Sequence, residues 1–198
     1  MSLAVLALAA SLVSLFAIGT LERGDGFELP LIPSLGITLH YEADRLSLFF
    51  GSLVTAVGAL VLFYARGYFE EERRSLRGFY VAMLCFMGAM LATVFAADLL
   101  TMFIAWEITG ICSFFLIGWD QDAAESRRGA RMALLTTVGA GLGLFFSIFA
   151  LESLFGTLSF SELTERVSTA PLEVPSSALF TGAFFAAFLA IAGKSALI

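Results

Sequence analysis

Six long apolar runs, separated by short polar or charged connections, organise the chain: Leu3–Gly19, Leu46–Ala65, Phe79–Ala97, Leu99–Trp119, Met132–Leu154 and Ser177–Ile198. Each comes close to the roughly 20 residues an α-helix needs to cross a bilayer core. Of the 11 basic and 17 acidic side chains, only Glu107, Glu152 and Lys194 lie inside these runs. Backbone groups in lipid must be paired within the segment, and the strict alternation of a membrane β-barrel is absent, so the runs read as helices. The pattern predicts an all-α, polytopic membrane helix bundle of about six transmembrane helices, with residues 1–198 forming one bundle. The first run has no charged leading segment and no small-x-small cleavage site, and reads as a retained helix rather than a signal peptide.

The connections differ in kind. The segment Glu22–Arg45 contains Gly24, Gly26, Pro30, Pro33 and Gly36 and is expected to be irregular, ordered by turns. Asp98 alone separates two runs, which predicts an antiparallel helical hairpin. The segment Gly156–Ser176, with Pro171 and Pro175, reads as an external loop holding at most a short helix. Connections 66–78 and 120–131 carry seven arginines against three, Arg23, Arg45 and Arg166, on the alternate side. The positive-inside rule therefore places the two arginine-rich connections, and both ends of this chain, in the cytoplasm, with the chain multi-pass in the cell membrane.

Composition narrows the function. Apolar residues make up 59% and charged residues 14%, with mean hydropathy +0.92, far from the roughly 25% charged residues of soluble domains. A net charge of -6 excludes a basic nucleic-acid binder. Two cysteines and one histidine, His40, exclude a disulfide framework and a Cys/His metal centre. No Walker, Rossmann or haem motif is present, so no cofactor is expected.

The informative residues are the polar ones lipid should not tolerate. Glu107 lies about nine residues into its run, about 13 Å deep at 1.5 Å per residue. A charge there costs at least about 2.5–3.5 kcal/mol, so the side chain must face protein or water. It is either a protonated, structurally hydrogen-bonded Glu or a carrier of protons or cations, and its depth favours the carrier. Lys194, the only lysine, sits in Ala-Gly-Lys-Ser-Ala. It reads equally as a side chain snorkelling to the interface or as a group in a wet cavity where Gly193 and Ser195 break the helix. Asp98 reads first as an exposed helix cap and Asp44 as an N-terminal acid favoured by the helix dipole. Glu152 is expected to reach water and Arg131 to anchor at the interface. Thr109, Ser113, Thr136 and Thr137 bond between helices or line a water path. Gly139, Gly141 and Gly143 allow close approach without forming one small-residue face. Cys85 and Cys112 read as buried fillers, and Met83, Met87 and Met90 as packing residues.

The run Phe103-Ile104-Ala105-Trp106-Glu107-Ile108-Thr109, with Asp98 before it and Gly193-Lys194-Ser195-Ala196 after it, resembles the antiporter-like subunits of respiratory complex I and of multisubunit Mrp-type cation/proton antiporters. Ile32-Pro33-Ser34-Leu35-Gly36-Ile37, followed by Asp44-Arg45-Leu46-Ser47-Leu48, looks like the start of an early helix of the large Mrp subunit. Met87-Gly88-Ala89-Met90-Leu91 looks like its next helix. Thr136-Thr137-Val138-Gly139-Ala140-Gly141-Leu142 stands where the complex I relative typically carries Thr-Arg-Val-Gly-Asp, which is more like Mrp; membrane hydrogenases share similar helices.

The resemblance implies that Glu107 is the family's membrane Glu and Lys194 its central Lys on a discontinuous helix, together a proton relay. Asp44 and Asp98 match recurring acidic positions, and Arg131, Thr136 and Thr137 are supporting candidates. It implies cation/proton antiport, with Na+ exchanged for protons, other membrane subunits of a hetero-oligomeric complex as partners and no nucleic acid; the alternative is a redox-driven proton pump. The family usually begins one helix earlier and continues beyond Lys194 to about fourteen helices in two inverted repeats. This chain is expected to hold only the first repeat, unfinished, as a fragment or as one half of a split subunit, and not to transport alone.

Overall fold

The computed structural model describes residues 26–35, 37–69, 76–169 and 178–195. Two strands, β1 (Phe27–Ile32) and β2 (Ile37–Tyr41), precede helices α1 (Arg45–Tyr68), α2 (Arg77–Val94), α3 (Leu99–Ile117), α4 (Ala124–Phe155), α5 (Phe160–Thr169) and α6 (Ala178–Lys194). Helices α1 to α4 are each long and apolar enough to cross a membrane, and α6 is a shorter apolar helix of 17 residues. The expected helix at 3–19 lies outside the described residues. Phe63, Leu135, Leu142 and Phe184 stand more than half exposed along the helices. Side chains this apolar on an outer surface need lipid or another membrane protein against them.

The helices pack in an antiparallel series. Small residues set the spacing: a Cβ on Gly58 of α1 would run into Met87 of α2, and one on Gly143 of α4 would lie 3.0 Å from the Ala186 carbonyl of α6. Ser147, 1% exposed, donates from Oγ to the Ala183 carbonyl at 2.8 Å, tying α4 to α6. The α2–α3 hairpin is present, with Gly78 against Trp119 at its far end. Its connection, however, runs from Phe95 to Asp98 rather than through one residue.

Three expectations are corrected. The segment before α1 is not irregular: β1 and β2 form an antiparallel hairpin pairing Phe27 with Tyr41 and Leu29 with Leu39, around a 3-10 turn at Pro33–Leu35. Pro30 is tolerated because a two-stranded ribbon is all edge. Helix α4 begins at Ala124 rather than Met132 and spans 32 residues, about 48 Å. Arg127, Arg128 and Arg131 therefore lie on its first turns, not in a loop. Cys85 is exposed, whereas Cys112 is buried as expected.

The hairpin is woven into the helix ends. The Ala97 amide donates to the His40 carbonyl at 2.9 Å, Glu42 to Phe95 at 2.9 Å, Leu99 to Leu158 at 3.0 Å and Phe160 to Ala97 at 3.1 Å. The start of α1, the α2–α3 turn and the segment after α4 thus share backbone hydrogen bonds at one end of the helices. Gly156, at φ 66°, closes α4 in the left-handed conformation that glycine adopts without strain.

Candidate functional site

Glu107 lies in the middle of α3, on the face turned to α4 and α6. Gly141 of α4 faces it: a Cβ there would lie 2.6 Å from the Glu107 Oε1. Lys194, the last residue of α6, reaches the same place. Its Nζ donates to the backbone carbonyl of Trp106 at 2.9 Å and lies 5.7 Å from the centre of the Trp106 ring. That carbonyl also accepts from Thr109 Oγ1 at 2.6 Å. The ammonium fits because Gly110 is bare: a Cβ there would stand 3.2 Å from Nζ. Glu107, Lys194, Thr137 and Gly141 line a cavity of about 10 Å³ between α3, α4 and α6, about the space one water needs.

Glu107 and Lys194 are close enough to interact electrostatically. They are not in direct contact, unlike the ion pair Arg166–Glu162, at 3.8 Å, and the polar contact His40–Glu28, at 3.3 Å. The Glu107 carboxylate accepts no hydrogen bond from a described residue. It is a partly buried acid with a cation one step away and a water-sized space beside both. Such an arrangement can pass a proton after a small side-chain movement.

The other sequence candidates separate. Thr137 joins the site, its hydroxyl donating to the Leu134 carbonyl at 3.1 Å. Thr136 points outward and back-bonds to Met132. Arg131 is exposed at the arginine-rich end, with Nε donating to the Arg127 carbonyl at 3.3 Å. Asp44 is the exposed N-cap of α1 in a reciprocal box, accepting from the Ser47 amide at 2.6 Å. It borders a cleft of about 730 Å³ that also holds Glu42 and Glu165.

Asp98 does cap α3, but it is buried, at 7% exposure, not exposed as expected. Its carboxylate accepts from the Thr101 amide at 2.8 Å and the Thr101 hydroxyl at 2.6 Å, and Thr101 Oγ1 accepts from the His40 amide at 2.9 Å. The missing signal was the hairpin, which covers this corner. Burial and the charge on Asp98 push the Tyr41 phenol above its ordinary value of 10.0. Sequence reasoning also missed the Trp106 carbonyl and the Gly110 notch. Only the Gly three residues after Glu107 hinted at them.

Known proteins resemble this chain along most of its length. The family described as NADH:quinone oxidoreductase/Mrp antiporter, TM, matches residues 96–198, and the complex I chain 5 N-terminus family matches residues 30–80. The chain is 36% identical over 168 residues to a Na(+)/H(+) antiporter subunit of Alkalihalophilus pseudofirmus, covering 85% of this chain and 20% of that protein. It is 37% identical over 131 residues to a probable K(+)/H(+) antiporter subunit of Rhizobium meliloti, covering 66% of this chain and 13% of that one. Its fold matches a chain of the Mrp complex from Dietzia sp. DQ12-45-1b with a TM-score of 0.77 at 28% identity, over 96% of this chain and 20% of that one. The chain thus spans a fifth or less of the length of these relatives. With four membrane-length helices and a family match over more than half its residues, the chain is a multi-pass membrane protein belonging to the NADH:quinone oxidoreductase/Mrp antiporter family.

Proposed function

We propose that this chain is the proton-relaying part of a large Mrp-type cation/proton antiporter subunit, with Glu107 and Lys194 as the relay. The observation that carries the reading is the convergence of an acid from mid-α3 and the lysine ending α6 on one water-sized cavity among apolar helices. Near each other, the two charges favour each other's charged form; apart, Lys194 gives up its proton more readily. Alternation of the pair hands a proton laterally, in the plane of the membrane, to groups elsewhere in the full-length protein. The exchanged cation is Na+, as the name of the Alkalihalophilus relative suggests. The partners are other membrane subunits of the complex in the cell membrane, and the arginine-rich connections and both ends of this chain face the cytoplasm.

The complex I match over residues 30–80 supports a second reading, a redox-driven proton pump. One assay separates them: the complete complex carrying this chain, reconstituted in proteoliposomes. Na+-dependent proton movement that disappears in Glu107→Gln and Lys194→Ala supports the antiporter relay. Proton movement that needs an electron donor and ignores Na+ sinks it in favour of the pump. Transport that survives Glu107→Gln makes the helices a passive anchor.

A further inference from the structure

The lysine of the relay does not rest on its acid. Its ammonium donates to a backbone carbonyl, that of Trp106, which a helix would normally have satisfied already. The geometry points to a second station for Lys194, formed by the Trp106 carbonyl and admitted by the bare Cα of Gly110, so that the lysine alternates between this carbonyl and the Glu107 carboxylate. This rests on the relay reading above.

Two features make the carbonyl a station rather than an incidental contact. The Nζ–O distance is 2.9 Å, a full hydrogen bond, and the Trp106 ring face lies on the same side at 5.7 Å. The gap that admits the ammonium is also specific. A Cβ on Gly110 would meet Lys194 Nζ at 3.2 Å and Thr137 Oγ1 at 3.5 Å, its nearest neighbours beyond its own helix backbone. The station suits a group that must release a proton. A carbonyl is a neutral acceptor and favours the ammonium less than a carboxylate does, so Lys194 gives up its proton more readily there than beside Glu107. Among the described residues lining the cavity, Glu107 and Lys194 are the titratable side chains; α4 contributes Thr137, Ala140, Gly141 and Leu144. Gly110 is thus a positioning residue that acts through Lys194.

Gly110→Ala crowds the station, pushing the ammonium away from the Trp106 carbonyl, while leaving α3 a better helix former. In the full complex in proteoliposomes, it should slow transport about tenfold, the scale of one lost charge-assisted hydrogen bond. It should also move the pH midpoint of transport upward, because Lys194 then stays beside Glu107 and keeps its proton. Gly139→Ala, with open space around it, should match the unmodified protein. A wild-type rate and midpoint in Gly110→Ala, while Glu107→Gln and Lys194→Ala are inactive, overturns the station and leaves the relay standing. Infrared spectroscopy gives a second readout that needs no glycine variant. A 13C=O label at Trp106, assigned as the band absent from Trp106→Phe, should sit at lower frequency in the unmodified protein than in Lys194→Ala. An unchanged band overturns the station.

Discussion

Helix α3 carries two acids in unlike settings. Asp98, at its first turn, has its carboxylate filled by Thr101 and covered by the hairpin. Glu107, in its middle, accepts no hydrogen bond from the described residues and faces a water-sized space with a lysine just out of reach. A buried polar group whose bonds are complete fixes a structure, because moving it leaves donors unpaired in a medium that cannot replace them. An acid left incomplete beside a cation is free to change partner. The same helix thus holds a fastener and an acid open to a new partner, about 13 Å apart along its axis.

Substitutions can break or sharpen that contrast. The largest effect is expected from Glu107→Gln, which should bring proton transport to background in proteoliposomes. Thermal unfolding in detergent should change by less than about 0.5 kcal/mol, since no structural bond to the carboxylate is lost. Asp98→Ala should do the reverse in kind. It removes a helix cap, worth about 1 kcal/mol, and leaves the proton of the buried Thr101 hydroxyl without an acceptor, worth about 1–3 kcal/mol. A loss of about 3 kcal/mol in a denaturation series is expected; stability equal to the unmodified protein would erase the distinction between the two acids. Ser147→Ala, which cuts the bond from α4 to the Ala183 carbonyl of α6, should cost about 0.6 kcal/mol, the average for bonds between membrane helices.

The smallest effect is a titration. In a background of Tyr64→Phe, Tyr68→Phe and Tyr80→Phe, the Tyr41 tyrosinate absorbance should appear above the ordinary value of 10.0. A phenol raised on folding contributes stability that is complete below that ordinary value and lost as pH climbs through the folded one. Asp98→Asn should lower the midpoint only in part, because burial is the larger cause.

Hydropathy read the bundle well wherever the physics was lipid against backbone. Runs such as Leu99–Trp119 became helices almost to the residue because no other structure satisfies their amides in lipid. It failed where helix and hydrophobicity part company. Ala124 to Arg131 is polar but rich in helix formers, so α4 continues two turns beyond its apolar stretch. The hairpin was hidden because Pro30 and Pro33 look like breakers, and a ribbon edge accepts proline. At the site, Glu107 and Lys194 announced themselves as charges among apolar letters. The Trp106 carbonyl did not, since every residue has one and only the fold decides which is left reachable. Gly110 and Gly141 were legible as small but not as facing an ammonium and a carboxylate.

The weave of backbone bonds among His40, Phe95, Ala97, Leu99 and Leu158 has a mechanical consequence. It clamps α3 at Asp98. The far end is braced as well, because Trp119 rests on Gly78 and Phe79 of α2. Glu107, halfway between the two supports, has little room to travel. Any stroke in this machine should therefore be delivered at the lysine-bearing end of α6, against a carboxylate that stays almost where the clamp puts it.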